Sequence, residues 1–173
     1  MVILYIATSI DGRIADENGG VGWLDNFGTG DMNYEEFYGG IESIVMGRAT
    51  YDQCLTFGEW PYAGKHCVVL TSRPLENPPP GVIAMSGNAR EVHDEIMRTN
   101  PGAIWLLGGA EVNKQFLAEG LIDVVEIYVA PVVLGKGPSL FGDSPLTDTF
   151  SFVDSTVYSD GMVRLRYEST SSS

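Results

Sequence analysis

The stretch IVMGRATYD, Ile44 to Asp52, contains the transition that decides the fold, because an apolar strand ends at a glycine and a helix begins directly after it. A strand-to-helix turn of this kind presents free backbone amides and the positive end of a helix dipole, which suit a phosphate group. Arg48 and Thr50 can add a charge-assisted hydrogen bond and a hydroxyl contact. Two interpretations follow: Gly47 opens a phosphate site, or it only permits a tight turn and Arg48 is exposed to solvent.

A second strand end lies in VVLTSR, Val68 to Arg73. Thr71, Ser72 and Arg73 come at the carboxyl end of this strand, where ligands bind in open α/β sheets. An arginine in that place can hold a ribose 2′-phosphate, so the segment favours NADPH over NADH as a ligand. The alternative is that Arg73, which precedes Pro74, is an exposed loop cation.

A third strand end lies in WLLGGAEVNKQFL, Trp105 to Leu117, where Gly108 and Gly109 separate a strand from a helix. Paired glycines let the backbone come into contact with a dinucleotide pyrophosphate, and their amides point towards the start of the helix. The segment lacks the GxGxxG fingerprint of dinucleotide-binding folds, so an ordinary turn is the alternative.

Strand and helix signals alternate over the first three quarters of the chain, starting with the apolar run VILYIAT, Val2 to Thr8. This alternation predicts right-handed crossovers and a mainly parallel sheet with helices on both faces. The turn sequence at 159–161, SDG, predicts a closing antiparallel hairpin. We therefore predict one α/β domain over residues 1–169, followed by a frayed tail at 170–173.

The composition is strongly acidic, since 23 Asp and Glu residues against 10 Lys and Arg residues give a formal net charge of −13. This charge repels polyanions, so nucleic acid and anionic membrane surfaces are poor partners. A phosphate-bearing cofactor stays compatible, because its binding depends on local amides and a few arginines. We expect the few cations to cluster near that cofactor site.

Cysteine and histidine usage disfavours several other classes of protein. Cys54 and Cys67 have neither metal-ligand spacing nor the density of a disulfide scaffold, which predicts buried thiols in a reducing compartment. His66 and His93 have no partner at metal-ligand spacing, and GxSxG is absent, so we predict neither a metal site nor a serine hydrolase. The beginning of the chain has no signal-peptide pattern and no membrane-length apolar run, which predicts a cytoplasmic protein.

A long polar connection over residues 11–30 follows the first strand, and such connections often act as lids or binding loops. It contains Asp11 and Asp25, and Asp31 follows at the start of the first predicted helix. A carboxylate here can pair with the N–H edge of a pterin or pyrimidine, or it stabilises a turn or caps the helix. Trp23 is either a lid aromatic over a flat ring or a packing anchor.

Several segments, taken in order, resemble the dihydrofolate reductase superfamily over nearly the whole chain: SIDGRIA, IVMGRATYD, VVLTSR and LLGGAEVNKQFL. Together with LIDVVEIYVAPVVLGKGPSLF, SIDGRIA and GRATYD point to a subgroup, the reductase domain of bifunctional riboflavin-biosynthesis deaminase-reductases and its stand-alone relatives. The resemblance implies the dihydrofolate-reductase-like three-layer fold, with a mainly parallel central sheet, a C-terminal antiparallel hairpin and helices on both faces.

The resemblance also implies the positions that would bind NADPH. They are Ala7 and Ile14 beside the nicotinamide; Gly47, Arg48, Ala49 and Thr50 at the phosphates; Thr71, with Ser72 and Arg73 at the adenosine 2′-phosphate; and Leu107, with Gly108, Gly109, Ala110, Glu111 and Val112 at the pyrophosphate. Asp31 precedes the second strand at the place of the substrate carboxylate of dihydrofolate reductases.

The expected activity is NADPH-dependent hydride transfer to a pyrimidine or pterin-type ring. The resemblance implies 5-amino-6-(5-phosphoribosylamino)uracil reductase first and dihydrofolate reductase second, with Asp11 and Asp31 as catalytic residues and Trp23 and Asp31 at the substrate. The resemblance also implies a homodimer, in keeping with the apolar run Ile122 to Leu134, which needs to be covered on all sides. Two other classes stay open: a nucleotide-binding module without catalysis, and a phosphosugar-binding protein.

Overall fold

In the computed structural model, which describes residues 1–28, 32–144 and 148–170, one eight-stranded sheet forms the centre of the molecule. Its strands are β1 (Val2–Thr8), β2 (Ser43–Gly47), β3 (His66–Leu70), β4 (Val82–Met85), β5 (Ile104–Gly108), β6 (Val124–Val129), β7 (Phe150–Val157) and β8 (Val163–Ser169). They lie in the order β4-β3-β2-β5-β1-β6-β8-β7. Strands β1 to β6 are parallel, and β8 is antiparallel to β6 and β7. The predicted parallel sheet with a C-terminal antiparallel hairpin is confirmed.

Among the described residues, four α-helices cover the sheet: α1 (Tyr34–Gly39), α2 (Arg48–Cys54), α3 (Ala89–Thr99) and α4 (Ala110–Ala118). Buried side chains form two clusters. Alternate residues of β1 belong to different clusters, Leu4 to one and Tyr5 to the other, because successive side chains of a strand point to opposite faces. Helices α3 and α4 contribute to the Leu4 cluster, and α1 and α2 to the Tyr5 cluster. Helices therefore lie on both faces of the sheet, as predicted.

The long connection after β1 is held by defined contacts. Asp16 accepts hydrogen bonds from the amides of Asn18 and Gly20, both at 2.8 Å, and a 3₁₀ turn follows at Gly22–Leu24. The Gln53 side chain of α2 donates to the Gly19 carbonyl at 2.6 Å. The described part of this connection is therefore fixed to a helix that begins at the sheet edge, and its role as a lid or binding loop stays a prediction.

The apolar run at 122–134 is largely covered within the chain. Strand β6, which makes up its first half, is hydrogen-bonded to β1 on one side and β8 on the other. Val133 is 66 % exposed. The first half of the run is thus covered within the chain whereas Val133 is not, and the homodimer stays a prediction.

Two predictions touch residues at the limits of the described ranges. The predicted frayed tail at 170–173 lies outside the described residues except for Thr170, whose hydroxyl donates to the Thr149 carbonyl at 2.9 Å. Asp31 also lies outside them, and the residue before α1 is Asn33.

Both cysteines are buried free thiols, as predicted.

Candidate active site

The three strand ends singled out in the sequence lie side by side. Strands β3, β2 and β5 are neighbours in the sheet, and β1 follows β5. At the carboxyl ends, Gly47 is paired with Leu70 and Met46 with Gly108. Because parallel strands end at the same edge of a sheet, the segments after Gly47, Leu70 and Gly108 all begin at that edge.

Two glycines let the backbone segments at this edge approach each other closely. A methyl group added to Gly47 would lie 3.0 Å from Val112 Cγ2 and 3.8 Å from the Gly109 amide nitrogen. A methyl group added to Gly109 would lie 3.5 Å from the Thr50 hydroxyl and 3.9 Å from Ile14 Cδ1. The peptide bond between Gly108 and Gly109 is cis. The start of α2, the start of α4 and the loop after β1 therefore surround one small space.

That space belongs to a cavity of about 1120 Å³, which we call the sheet-edge cavity. Residues predicted to bind a dinucleotide contribute much of its wall: Ala7, Ile14, Gly47, Arg48, Ala49, Thr50, Leu107, Gly109, Ala110, Glu111 and Val112. Four other predicted residues, Thr71, Ser72, Arg73 and Gly108, do not line it. Thr71 to Arg73 continue from β3 beyond Leu70, which does line the cavity.

Two arginines line the sheet-edge cavity, and part of each guanidinium group is hydrogen-bonded to the protein. Arg48 donates from Nε to Asp52 at 2.8 Å and from Nη1 to the Pro74 carbonyl at 3.1 Å. Arg13 donates from Nη1 to the Gly137 carbonyl at 2.9 Å, whereas its buried Nε has no hydrogen-bond partner among the described residues. Anchored guanidinium groups with unused donors suit phosphate oxygens.

The nine-residue helix α4 adds backbone donors to this cavity. Gly109, the N-cap residue before the helix, is extended, and no side chain caps the helix. The first amides of a helix have no acceptor within the helix, so those of Ala110, Glu111 and Val112 are available to a ligand in the cavity that these residues line. Such amides and the helix dipole favour an anion.

A second cavity of about 660 Å³, which we call the aromatic cavity, adjoins the first. Apolar and aromatic side chains form most of its wall: Tyr5, Leu24, Phe27, Met32, Tyr34 and Met162. Ala7 and Leu24 line both cavities. A ligand in the sheet-edge cavity and a ligand in the aromatic cavity would therefore meet beside the small side chain of Ala7.

A buried carboxylate supports the wall of the aromatic cavity. Glu126 on β6 is 6 % exposed and accepts hydrogen bonds from Arg166 Nη1 and from the Tyr128 hydroxyl, both at 3.0 Å. The Tyr128 hydroxyl lies 3.4 Å from the carbonyl of Met32, and its ring lies 4.8 Å from that of Tyr5. Burial raises the pKa of Tyr5 to about 12, with the hydrogen bond to Tyr128 acting in the opposite direction. Tyr5 is thus protonated at neutral pH and can donate a hydrogen bond.

Asp11, one of the carboxylates predicted to carry chemistry, is held by hydrogen bonds from its own loop and from a second loop. Asp11 lines neither cavity and accepts hydrogen bonds from the Ser9 hydroxyl at 2.7 Å and from the amides of Leu134 and Gly135 at 3.0 and 2.8 Å. These hydrogen bonds, chiefly the one from Ser9, lower the pKa of Asp11 to about 2. Asp11 therefore joins two loops, which is the turn-stabilising role weighed in the sequence.

The other candidates from the connection after β1 and its end are Asp25, Trp23 and Asp31. Asp25 is exposed and lines neither cavity. Trp23 is half-buried and packs against the Tyr5 cluster, as the packing-anchor interpretation describes, while its neighbour Leu24 lines both cavities. Asp31 lies outside the described residues, so its predicted roles at the substrate stay predictions.

A family model for the RibD C-terminal domain matches residues 1–164. The chain belongs to the RibD C-terminal domain family. Protein YwjB of Bacillus subtilis, named as uncharacterized, is 39% identical over 141 residues, which cover 80% of this chain and 81% of YwjB. A protein from Shewanella sp. PV-4 provisionally named for riboflavin biosynthesis is 30% identical, with a TM-score of 0.88 over 98% of both chains.

Two further solved structures share the fold of this RibD C-terminal domain. A diaminohydroxyphosphoribosylaminopyrimidine deaminase/5-amino-6-(5-phosphoribosylamino)uracil reductase from Thermotoga maritima is 19% identical with a TM-score of 0.74, covering 98% of this chain and 56% of that one. The Enterococcus faecalis dihydrofolate reductase, solved with NADP(H), is 22% identical with a TM-score of 0.71, covering 98% and 96%. The dihydrofolate-reductase-like fold predicted from the sequence is confirmed.

Sequence reasoning missed several residues that line the two cavities of this RibD C-terminal domain. Arg13 stands within SIDGRIA, yet only its contact with Gly137 places it in the sheet-edge cavity. Tyr5 and Met162 line the aromatic cavity, but in the sequence they look like any other strand or hairpin residue. Among the described residues, no group of three or more His, Cys, Asp or Glu side chains could hold a metal ion, and no helix could span a membrane.

Proposed function

We propose that this RibD C-terminal domain is an NADPH-dependent reductase that passes a hydride to a flat nitrogen heterocycle of pyrimidine or pterin type. The observation that carries the proposal is the contact between the two cavities at Ala7 and Leu24. Hydride transfer requires the donor and acceptor rings to be held in contact with water excluded. The larger sheet-edge cavity for a dinucleotide and the aromatic cavity for a ring would provide that arrangement.

The residues of the sheet-edge cavity fit the cofactor. Gly47 and Gly109 lack the side chains that would fill the space between α2, α4 and the loop after β1. Arg48 and Thr50 would hold phosphate oxygens together with the first amides of α4. Arg73, on the segment after β3, would pair with the 2′-phosphate. When bound there, NADPH supplies the hydride.

The residues of the aromatic cavity fit a flat ring. The side chains of Tyr5, Phe27 and Tyr34 offer large apolar surfaces, which favour stacking on a heterocycle. The protonated Tyr5 hydroxyl is a polar group that can orient a ring nitrogen or oxygen. The names of the Thermotoga and Enterococcus proteins, a pyrimidine reductase and a dihydrofolate reductase, support this class of substrate.

The test is a titration of the protein and of the Arg73→Ala variant with NADPH and with NADH. We expect loss of the guanidinium to raise the Kd for NADPH at least about tenfold and to leave the Kd for NADH unchanged, because only NADPH carries the 2′-phosphate. Arg90→Ala is the matched control, since this arginine lies on α3 beside Glu119, away from both cavities. Its Kd values for both nucleotides should equal those of the wild type.

Turnover then separates the proposal from its alternatives. NADPH oxidation in the presence of a pyrimidine or pterin substrate supports the reductase. NADPH binding without oxidation over a broad panel of such rings would favour a nucleotide-binding module. Failure of NADPH to bind would refute the assignment, and equal affinity for simple phosphates would favour a phosphosugar-binding protein.

A further inference from the structure

The positive charges of the chain are distributed unevenly between the two cavities. All ten Lys and Arg residues lie in the described part of the chain, so each can be assigned a place. Arg13 and Arg48 line the sheet-edge cavity, and none of the ten lines the aromatic cavity. Under the proposed function, the two arginines that line a cavity therefore lie at the site of the anionic cofactor and not at the site of the ring substrate.

Strand β8 begins directly after Met162, which lines the aromatic cavity. The two arginines of this strand are paired with acidic side chains. Arg166 donates to Glu126 and also approaches Glu168 at 3.4 Å. Arg164 pairs with Asp154 and approaches Glu126 at 3.5 Å. Both arginines face carboxylates, and neither lines the aromatic cavity.

The lysine beside α1 is also committed to the protein. Lys65 Nζ donates to the Ile41 carbonyl at 2.5 Å and stands 4.7 Å from the centre of the Tyr38 ring. Tyr38 in turn stacks on Tyr34, which lines the aromatic cavity. The lysine therefore contacts Tyr38 and is not part of the cavity wall.

The charged side chains that do line the aromatic cavity are acidic. Glu35 and Glu36, in the first turn of α1, are both exposed and both contribute to the wall. Among the described residues, the rest of the wall is aromatic and apolar apart from Asn33, the tyrosine hydroxyls and the backbone. A dianionic phosphate in this cavity would thus face two carboxylates with no cation beside them, which is unfavourable for binding.

We propose that the aromatic cavity selects an uncharged or cationic heterocycle that carries no phosphate or carboxylate tail. This inference rests on the proposed function for the adjoining sheet-edge cavity. It separates the chain from the activity printed for the Thermotoga protein, whose substrate is a phosphoribosylamino-uracil. It also disfavours the glutamate tail of a folate, because the acidic residues of the cavity repel anions while its apolar wall favours flat rings.

The experiment compares two matched pairs of ligands, each differing by one anionic group. The first pair is 5-amino-6-ribosylaminouracil and its 5′-phosphate, and the second is pterin and pterin-6-carboxylate. Calorimetry on the protein saturated with NADP⁺ gives the Kd of each, and NADPH oxidation gives kcat/KM. We expect the member without the anion to bind at least about tenfold more tightly in each pair.

Charge reversal at the rim tests the cause of this preference. The Glu36→Lys variant should reduce the discrimination against the 5′-phosphate by about tenfold, because a like charge becomes an opposite one. Asp94→Lys changes the net charge equally on the exposed face of α3, away from both cavities, and should leave the discrimination unchanged. Equal shifts in the two variants would attribute the preference to net charge and overturn the assignment to the cavity.

The outcomes also distinguish this inference from the proposed function. If the phosphorylated or carboxylated member binds as well as its neutral partner, or if no neutral ring binds, the inference is overturned. Tenfold preference for the neutral rings without any NADPH oxidation would support the cavity's selectivity and refute the reductase. NADPH oxidation with the phosphorylated substrate preferred would do the reverse.

Discussion

The conversion of Glu126 to glutamine tests whether the buried carboxylate on β6 holds the sheet and the aromatic cavity together. Glu126 is 6 % exposed and receives hydrogen bonds from Arg166 and Tyr128 at 3.0 Å, with Arg164 at 3.5 Å. Arg164 and Arg166 join β6 to β8, and Tyr128, on β6 itself, lies 3.4 Å from the Met32 carbonyl at the cavity wall. The substitution keeps the size of the side chain and removes its charge.

The expected loss follows from the charge that glutamine lacks. The amide oxygen of glutamine can still accept from Arg166, and its NH₂ group can donate to the Tyr128 hydroxyl oxygen, whose own proton can turn to the Met32 carbonyl. The charge-assisted hydrogen bond from Arg166 becomes a weaker one, and Arg164 and Arg166 lose the carboxylate that they share. Because Arg166 and Arg164 keep Glu168 and Asp154, we expect the free energy of unfolding to fall by about 3 kcal/mol rather than more.

Denaturant unfolding and thermal melting measure this loss, and for a chain of this length the melting temperature should fall by roughly 6–12 °C. Glu168→Gln is the matched control, since Glu168 contacts the same arginine at 3.4 Å but has a 53 % exposed side chain. Its loss should stay below about 0.5 kcal/mol. Equal losses in the two variants, or a Glu126→Gln loss below about 0.5 kcal/mol, would refute the reasoning.

Two other predictions concern the loop after β1 and the sheet edge. Hydrogen bonds in the folded protein lower the pKa of Asp11 from 3.8 to about 2. The contribution of the Asp11 carboxylate to stability is therefore complete above pH 3.8 and is lost as the pH falls towards 2. Unfolding curves of the Asp11→Asn variant, measured against pH, should lack this part of the acid sensitivity. A methyl group at Gly47 would stand 3.0 Å from Val112 Cγ2, so Gly47→Ala should raise the Kd for NADPH at least about tenfold by titration. Gly39→Ala, which meets no atom within 4 Å, should leave that Kd unchanged, and an equal Kd in both variants would contradict the close approach.

The fold could be predicted from the sequence because its signals are local. Apolar runs such as Val2–Thr8 end at turn residues, and Asn88 opens α3 with a capping box to Glu91, which a three-residue spacing already suggests. The meeting of the three strand ends also follows from the sequence, since right-handed crossovers place the carboxyl ends of parallel strands at one edge. These inferences need no knowledge of side-chain contacts.

The site could be predicted only where it depends on those strand ends. Asp11 before Gly12 indicates a turn, but its partners Leu134 and Gly135 are more than 120 residues away in the chain, and no local pattern pairs them. Tyr5 belongs to a strand that is buried on both faces, so periodicity gives no sign of which face borders a cavity. The aromatic cavity depends on the path of the loop through Leu24, which local sequence does not determine.

The distribution of charge connects the acidic composition with the two cavities. A chain with a net charge of −13 repels a polyanionic dinucleotide at long range, so binding must come from short-range donors. Arg13, Arg48 and the first amides of α4 are such donors, and they stand in the sheet-edge cavity. The aromatic cavity on the other side of Ala7 has Glu35 and Glu36 and no cation among its described residues. The same few charges would therefore favour an anionic cofactor in the sheet-edge cavity and disfavour an anion in the aromatic cavity.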